Sequence, residues 1–487
     1  MSVEIKNLEP QNVWEIFSEM TQIPRPSNHE EQIQNWAVSF CEKLGLETIK
    51  DDAGNVIIKK PATPGMENRK TVVLQGHLDM VPQKNSDKVH DFKNDPIEAF
   101  VDGDWVTANG TTLGADNGIG SAAAMAVLAS KTLKHGPIEV LLTATEETGM
   151  DGANGLKAGM LDAEILINTD SEDEGELYVG CAGGEDVNIT FKYTEEEVPL
   201  GFVALQLSVT GLKGGHSGMD IILGRGNSIK TFFRIINAAE ELGVRLASID
   251  GGSLRNAIPR EAFGVVVVEE AKVADFIALV DEIADAIKAE LAATEPDIDI
   301  AVEQTEMPET LIDAASQKNV TKAVVACPNG VIRMSDSMKG LVETSTNLAI
   351  LKSDAESKTI NGGCLMRSSV DSAKDELGTR LKAVFELAGA EVTLSGAYPG
   401  WKPNMESPIL KTMQDVYNAK WGRVPKIMGI HAGLECGILA QNYPHWDMIS
   451  FGPTIRFPHS PDEKVNIETV KKFWEFLVAT LEAIPEK

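Results

Sequence analysis

Residues 71–80 read TVVLQGHLDM. The run 71–75 is apolar and rich in β-branched residues. It is continuous rather than alternating, the pattern of a strand in a sheet covered on both faces. Glycine at 76 interrupts it, and His77 and Asp79 follow. Two later stretches repeat the design: EVLLTAT at 139–145, followed by Glu146 and Glu147, and AEILINT at 163–169, followed by Asp170. An alanine-rich, strongly helical segment at 117–134 separates the first two. Strand, helix, strand in this order predicts a βαβ layout within an α/β fold. Acidic and imidazole residues collect where the strands end, which is where an α/β sheet presents side chains to a ligand.

Helical periodicity flanks this core at residues 10–20 and 29–44. In the second segment Ile33, Trp36, Ala37, Phe40 and Leu44 line one predicted face, with Gly45 as the stop. After Gly183 and Gly184 the character changes. An acidic stretch at 194–197 precedes alternating segments such as 205–210 and 264–268. Two amphipathic helices follow. Val273, Phe276, Ile277, Val280, Ile283, Ala284 and Ile287 mark one stripe; Leu377, Leu381, Val384, Phe385 and Ala388 mark the other. This reads as an α+β insertion, with two similar halves as one option. α/β character returns with a helix after Ser407, a segment at 446–451 and a last helix from Asn466. The expectation is a catalytic domain made of residues 1–184 and 401–487, interrupted by a lid domain at 185–400.

The chain has 487 residues, 43% of them hydrophobic and 24% charged, which suits a soluble globular enzyme with a large core. A net charge of −29 argues against nucleic acid and anionic membranes as partners, because phosphate contacts need basic patches. Cys41, Cys181, Cys327, Cys364 and Cys436 are odd in number, far apart and without a CxxC pair. They read as thiols in a reducing compartment. The opening MSVEIKNLEP has no apolar stretch of signal-peptide type, and no run approaches the roughly 20 residues of a spanning helix. A cytoplasmic location is expected.

His77 and Asp79 alternate along an extended segment and so share a side. This suits an imidazole metal ligand with a carboxylate that fixes its tautomer; a surface histidine beside a solvated aspartate is the other reading. Asp116 in LGADNG could simply cap the following helix. Gly114, Gly118 and Gly120 around it suggest in addition a close backbone approach to a site, where an aspartate could bridge two cations. Glu146 and Glu147 would repel one another without a cation. Pointing in different directions, one can hold a metal while the other faces substrate. His459 sits in PHSPDE, a loop stiffened by two prolines. Oxygen and imidazole donors without thiolates select hydrolytic zinc, or manganese or cobalt. Two such ions about 3.5–4 Å apart polarise a carbonyl and generate a hydroxide nucleophile near neutral pH.

Taken together, GHLDMV (76–81), GDWVTANGTTLGADNGIG (103–120), ATEETGMDGA (144–153), INTDSEDEGELYVGCAGG (167–184), GLKGGHSGMDI (211–221), GIHAGLECG (429–437) and FGPTIRFPHSPDEKVNI (451–467) resemble the M20 metallopeptidases. Within them they resemble the aminoacyl-histidine dipeptidases. The resemblance spans nearly the whole chain. It implies a two-domain α/β zinc peptidase, with a discontinuous three-layer α/β/α catalytic domain and an inserted α+β lid. It implies two Zn2+ per subunit, with Co2+ or Mn2+ as substitutes. His77 and Asp170 would bind one ion, Glu147 and His459 the other, and Asp116 both. Asp79 would support His77, and Glu146 would be the general base. A cis peptide is implied after Asp116. In the lid, His216 would hold the oxyanion while Asn256 and Arg367 grip the substrate carboxylate, although GGHSG also reads as a plain turn and Arg367 as a strand-face charge. His431 and Glu435 would line the substrate pocket, and a homodimer is implied.

The expected activity is hydrolysis of unblocked Xaa-His dipeptides, carnosine-like ones included. A broader di- or tripeptidase, or an N-acyl amino-acid amidohydrolase, keeps the same chemistry. A catalytically dead binding protein is disfavoured because every ligand position is filled. A serine hydrolase is disfavoured too: Ser217 lies in GHSGM, which is not a GxSxG elbow.

Overall fold

The apolar run of the opening stretch forms the strand Val72–His77, buried at every residue. Ile138–Thr143 and Ile165–Asn168 are buried throughout as well and pair with it in parallel on either side. The computed structural model describes residues 4–487 and separates them into two units. The first comprises the segments up to Gly180, Pro403–Gly429 and Leu434–Lys487; the second comprises Cys181–Lys402 and Ile430–Gly433. The protein is a mixed α/β chain of two domains.

The first unit is built on an eight-stranded sheet. Its order is Glu47–Lys50, Val56–Lys60, Ile138–Thr143, Val72–His77, Ile165–Asn168, Asp447–Ser450, Glu176–Cys181, Lys426–Ile430. Asp447–Ser450 comes from near the end of the chain and lies in parallel beside Ile165–Asn168. The helix Ala115–Ala129 packs on Val72–His77 and on the helix Gln11–Thr21. Its residues 117–128 are all buried, so its apolar character runs around the whole circumference rather than along one stripe. Capping agrees with the sequence at the two late helices. Ser407 accepts the Leu410 N–H ahead of Pro408–Trp421, which has proline in its first turn and Gly422 in the left-handed region at its end. Asn466 accepts the Thr469 N–H ahead of Ile467–Ala483. In the helix Glu31–Lys43 the buried set is Ile33, Gln34, Ala37 and Cys41. Trp36 and Phe40 instead pack on each other with ring centroids 5.5 Å apart, and Leu44 is exposed.

The second unit carries a nine-stranded sheet whose strands alternate buried and open positions, the mark of an antiparallel sheet covered on one face. It consists of two halves. Asp299–Gln304, Phe202–Thr210, Ala262–Glu269 and Arg245–Gly251 form one, with the helices Ser228–Ala238 and Val273–Glu290. Val342–Asp354, Thr359–Ser368, Gly183–Lys192 and Glu391–Tyr398 form the other, with Ala314–Ala326 and Asp371–Leu387, and the ninth strand, Gly330–Met334, pairs with Val342–Asp354 off this path. Each half follows a β-α-β-β-α-β order, and the first is inserted after the opening strand of the second. Among the described residues, the strand pairing between the halves is Asp250 with Lys352 and Gly251 with Leu351. Phe276, Val280, Ala284, Ile287, Leu377, Leu381 and Phe385 enter the shared core; Ile277, at the border of its stripe, is exposed. No helix among the described residues is long and apolar enough to cross a membrane.

Candidate functional site

In the first unit the acidic and imidazole residues converge. His77 ends its strand with its ring 1% exposed. Its Nδ1 lies 3.3 Å from Asp79 Oδ1, and its Nε2 lies 3.2 Å from Asp116 Oδ1 and 3.4 Å from Asp170 Oδ1. Asp116 turns its other oxygen to His459, 3.2 Å from Nε2, and that nitrogen is 3.0 Å from Glu147 Oε2. Asp116 therefore touches both imidazoles, one with each carboxylate oxygen. The peptide between Asp116 and Asn117 is cis.

Two local devices set these directions. Gly114 adopts φ +71°, and a Cβ there would lie 2.5 Å from the Arg25 guanidinium, so the turn before Asp116 requires glycine on both counts. Glu146 and Glu147 do not sit at a strand end. The strand stops at Thr143, and Thr145 enters the left-handed region at φ 54° before the short helical turn Glu146–Gly149. A β-branched residue is rare there. Glu30 holds it, accepting the Thr145 N–H at 3.0 Å and its hydroxyl at 2.8 Å. Asp79, fully buried, accepts the Glu146 N–H at 3.0 Å, the Glu147 N–H at 3.2 Å and the Ser27 hydroxyl at 2.8 Å. One carboxylate thus orients both His77 and the pair of glutamates.

Charge and burial are in conflict throughout this cluster. Burial works against a charged imidazole at His77, yet Asp170, Asp116 and Asp79 outweigh it and hold its pKa well above the usual value. Hydrogen bonds to Asp116 and then Glu147 push His459 up to about 11. Burial pushes Asp170 up to about 8, with Asp116 adding to it, and raises Glu146 well above its ordinary value. Protonated imidazoles between carboxylates stand where cations fit. Three residue groups bring one potential ligand atom each within 4.8 Å of one another: His77, Asp116 and Asp170; Asp116, Glu147 and His459; His77, Glu146 and Glu147. Glu147 Oε1 is buried without a hydrogen-bond partner. A buried anionic oxygen of this kind is costly unless a cation takes it. The donor chemistry and this orphaned atom fit a divalent metal. Beneath the cluster Glu435, 1% exposed, accepts Gln75 Nε2 at 2.6 Å and the Thr143 hydroxyl at 2.7 Å, and burial pushes its carboxyl up to about 7.

In the second unit a separate basic cluster forms. Arg367, on the strand Thr359–Ser368 and 5% exposed, donates to the Tyr398 hydroxyl at 3.0 Å and lies 3.4 Å from His216 Nε2. Its Nε has no partner, and no carboxylate pairs with it among the described residues. His216 Nδ1 accepts the N–H groups of Gly218 (3.2 Å) and Met219 (3.0 Å), which leaves the ring proton on Nε2, available to an oxygen. Burial and then Arg367 lower His216 to about 4 and His431 to about 3, so both are neutral near pH 7. His431 Nε2 meets the Ser345 hydroxyl at 2.7 Å. Gly218 allows the close packing: a Cβ would meet the His431 carbonyl at 2.1 Å. Asn256 is exposed on the chain facing His216 and accepts the Ser217 N–H through its backbone carbonyl. His431 and Glu435, neighbours in sequence, belong to different units.

Sequence reasoning missed Arg25, Ser27, Glu30, Ser345, Tyr398 and Glu463. Arg25 is buried and donates to the carbonyls of Leu78 (2.9 Å), Asp79 (3.2 Å) and Gly114 (2.6 Å). A charged residue between Pro24 and Pro26 was the available signal.

Residues 73–483 match peptidase family M20/M25/M40. The chain is 49% identical over 485 residues to the cytosol non-specific dipeptidase of Escherichia coli (strain K12), covering 99% of this chain and 100% of that one. It is 52% identical to the aminoacylhistidine dipeptidase of Vibrio alginolyticus, whose crystal structure superposes with a TM-score of 0.94 over 100% of this chain and 99% of that chain. The aminopeptidase PepT of Bacillus cereus shares the fold at 18% identity, with a TM-score of 0.63 over 98% and 99% of the two chains.

Proposed function

The chain belongs to peptidase family M20/M25/M40, and we propose that it is a dizinc dipeptidase acting on unblocked Xaa-His dipeptides, carnosine-like ones included. The observation that carries the reading is Asp116, which divides its two oxygens between a His77–Asp170 group and a His459–Glu147 group. His77 and Asp170 would hold one zinc ion and Glu147 and His459 the other, with Asp116 contributing to both groups. When bound, the two ions polarise the scissile carbonyl and lower the pKa of water. Glu146 takes the proton from the attacking water and delivers it to the leaving amine nitrogen as the C–N bond breaks. Asp79 keeps His77 and the backbone of Glu146 and Glu147 in place.

In the second unit, Arg367 and Asn256 take the peptide's terminal carboxylate, for which a planar guanidinium fork is matched. His216 offers its Nε2–H to the developing oxyanion. His431 and Glu435 serve substrate binding. These roles are supported by a buried guanidinium that no carboxylate pairs among the described residues, and by the neutral tautomer of His216. The Escherichia coli relative is named a non-specific dipeptidase, which favours as second reading a wider range of dipeptides.

Hydrolysis of β-Ala-His, Ala-His, Gly-Gly and an N-acetylated amino acid, with and without a chelator and added zinc, tests both readings. Chelator-sensitive cleavage favouring the two histidine dipeptides is expected. Equal rates on Gly-Gly select the broad dipeptidase, and preference for the acetylated substrate overturns the dipeptidase reading.

A further inference from the structure

Glu463 lies four residues beyond His459 and is 2% exposed. Its carboxylate accepts the backbone N–H groups of four consecutive residues. Leu113 and Gly114 donate to Oε2 at 2.8 and 2.9 Å, and Ala115 and Asp116 to Oε1 at 2.7 and 3.3 Å. A carboxylate is an acceptor only, with two oxygens and about four lone-pair sites. Four N–H groups use that capacity fully.

The other end of Glu463 is fixed independently. Its N–H donates to the Ser460 carbonyl at 3.0 Å, and its own carbonyl accepts the Thr107 hydroxyl at 2.8 Å. The residues that follow, Lys464–Asn466, pair with the strand Trp105–Ala108. The Asp116 loop is held from its opposite side by Arg25, which donates to the Gly114 carbonyl at 2.6 Å. His459 has less support of its own: its side chain is 51% exposed and its backbone is left-handed at φ 59°. Among the described residues, the hydrogen bonds between the loop bearing His459 and the loop bearing Asp116 are the imidazole contact and those of the Glu463 side chain.

We infer that Glu463 is a positioning residue that locks the Asp116 and His459 loops in register, and thereby sets how tightly the site they share holds a divalent cation. The inference rests on the reading of Asp116 and His459 as metal ligands. Residues that orient ligands without touching the ion commonly change metal affinity by roughly 10–100-fold when replaced. Glutamine at this position presents an NH2 group to two backbone donors and breaks half of the pattern.

The test is zinc titration of the full-length protein after chelator treatment, in competition with a chromophoric chelator. Wild type, Glu463→Gln and Asp116→Asn are compared, with folding checked by circular dichroism. Glu463→Gln is expected to bind one zinc roughly 10–100-fold more weakly, and its Co2+ form to show a changed visible absorption band. A purely structural residue would lower the unfolding temperature and leave both readouts of the folded protein unmoved. Wild-type affinity in folded Glu463→Gln, with binding lost in Asp116→Asn, overturns the positioning role alone. Wild-type affinity in both variants overturns the ligand reading and the inference with it. If Glu463→Gln does not fold, Glu463→Asp decides. It keeps the charge with a shorter reach and is expected to show a smaller loss; wild-type affinity in that variant overturns the inference.

Discussion

Glu146 and Glu147 are adjacent glutamates whose backbone N–H groups are both held by one buried aspartate, and the proposed base Glu146 and the proposed ligand His459 give separate predictions. Glu146→Ala is expected to keep its metal content and lose turnover by about a thousandfold or more, the scale of a lost proton-transfer group together with its electrostatic role. Metal analysis and kcat on one preparation check this, and retained turnover would reject Glu146 as the base. His459→Ala is expected to bring bound zinc from two ions per chain towards one, measured by elemental analysis after dialysis; unchanged stoichiometry counts against its role as ligand. His77, Asp79, Asp116, Asp170 and His459 could be singled out as candidates, and they do lie together, because each stands in a short motif beside a strand end, a glycine turn or a proline loop. Arg25 and Glu463 were not. Their partners are backbone atoms of distant segments, and a backbone N–H or carbonyl carries no sequence signature.

Secondary elements were legible where buried on all sides or clearly capped. The helix after Ser407 and the one after Asn466 begin where a side-chain acceptor meets a free N–H, a purely local event. Asn466→Ala is expected to cost about 1 kcal/mol, read as a lower denaturant midpoint with unchanged slope; no shift would show that the cap is immaterial. The stripe edges were misjudged. Trp36, Phe40 and Leu44 continue an apolar pattern, but periodicity gives only direction around the helix axis, not how far the neighbouring layer extends. The end of the strand before Glu146 was placed two residues too late, at Thr145 instead of Thr143, for a related reason: Thr145 is left-handed because Glu30, more than a hundred residues earlier, holds it so.

At the scale of the molecule, the α/β class and the insertion were legible from the change of pattern after Gly184. The internal doubling of the second unit was only one option, because its halves are interleaved in sequence. That unit also carries a pH signature. His216 and His431 titrate near 4 and 3 when folded and near 6.5 when unfolded. The unfolded chain therefore takes up their protons first on acidification. Their contribution to stability is complete above about pH 6.5 and is lost as pH falls through about 4 and then 3. Replacing both by glutamine is expected to flatten this part of the stability profile between pH 6.5 and 3.5, followed by denaturant unfolding. Parallel profiles for wild type and variant would reject the assignment.

The strand Asp447–Ser450 stands inside the first unit's sheet, between Ile165–Asn168 and Glu176–Cys181, although the ribosome delivers it long after both. At roughly 5–20 residues per second, tens of seconds of synthesis separate them. During that interval the nascent sheet has an open slot, and His77, Asp116, Glu147 and Asp170 wait without His459. On the proposed ligand reading, metal capture by the full set would come late in the life of the chain. The insertion domain has already emerged in full by then and can fold first, while the domain that began synthesis is the one that finishes last.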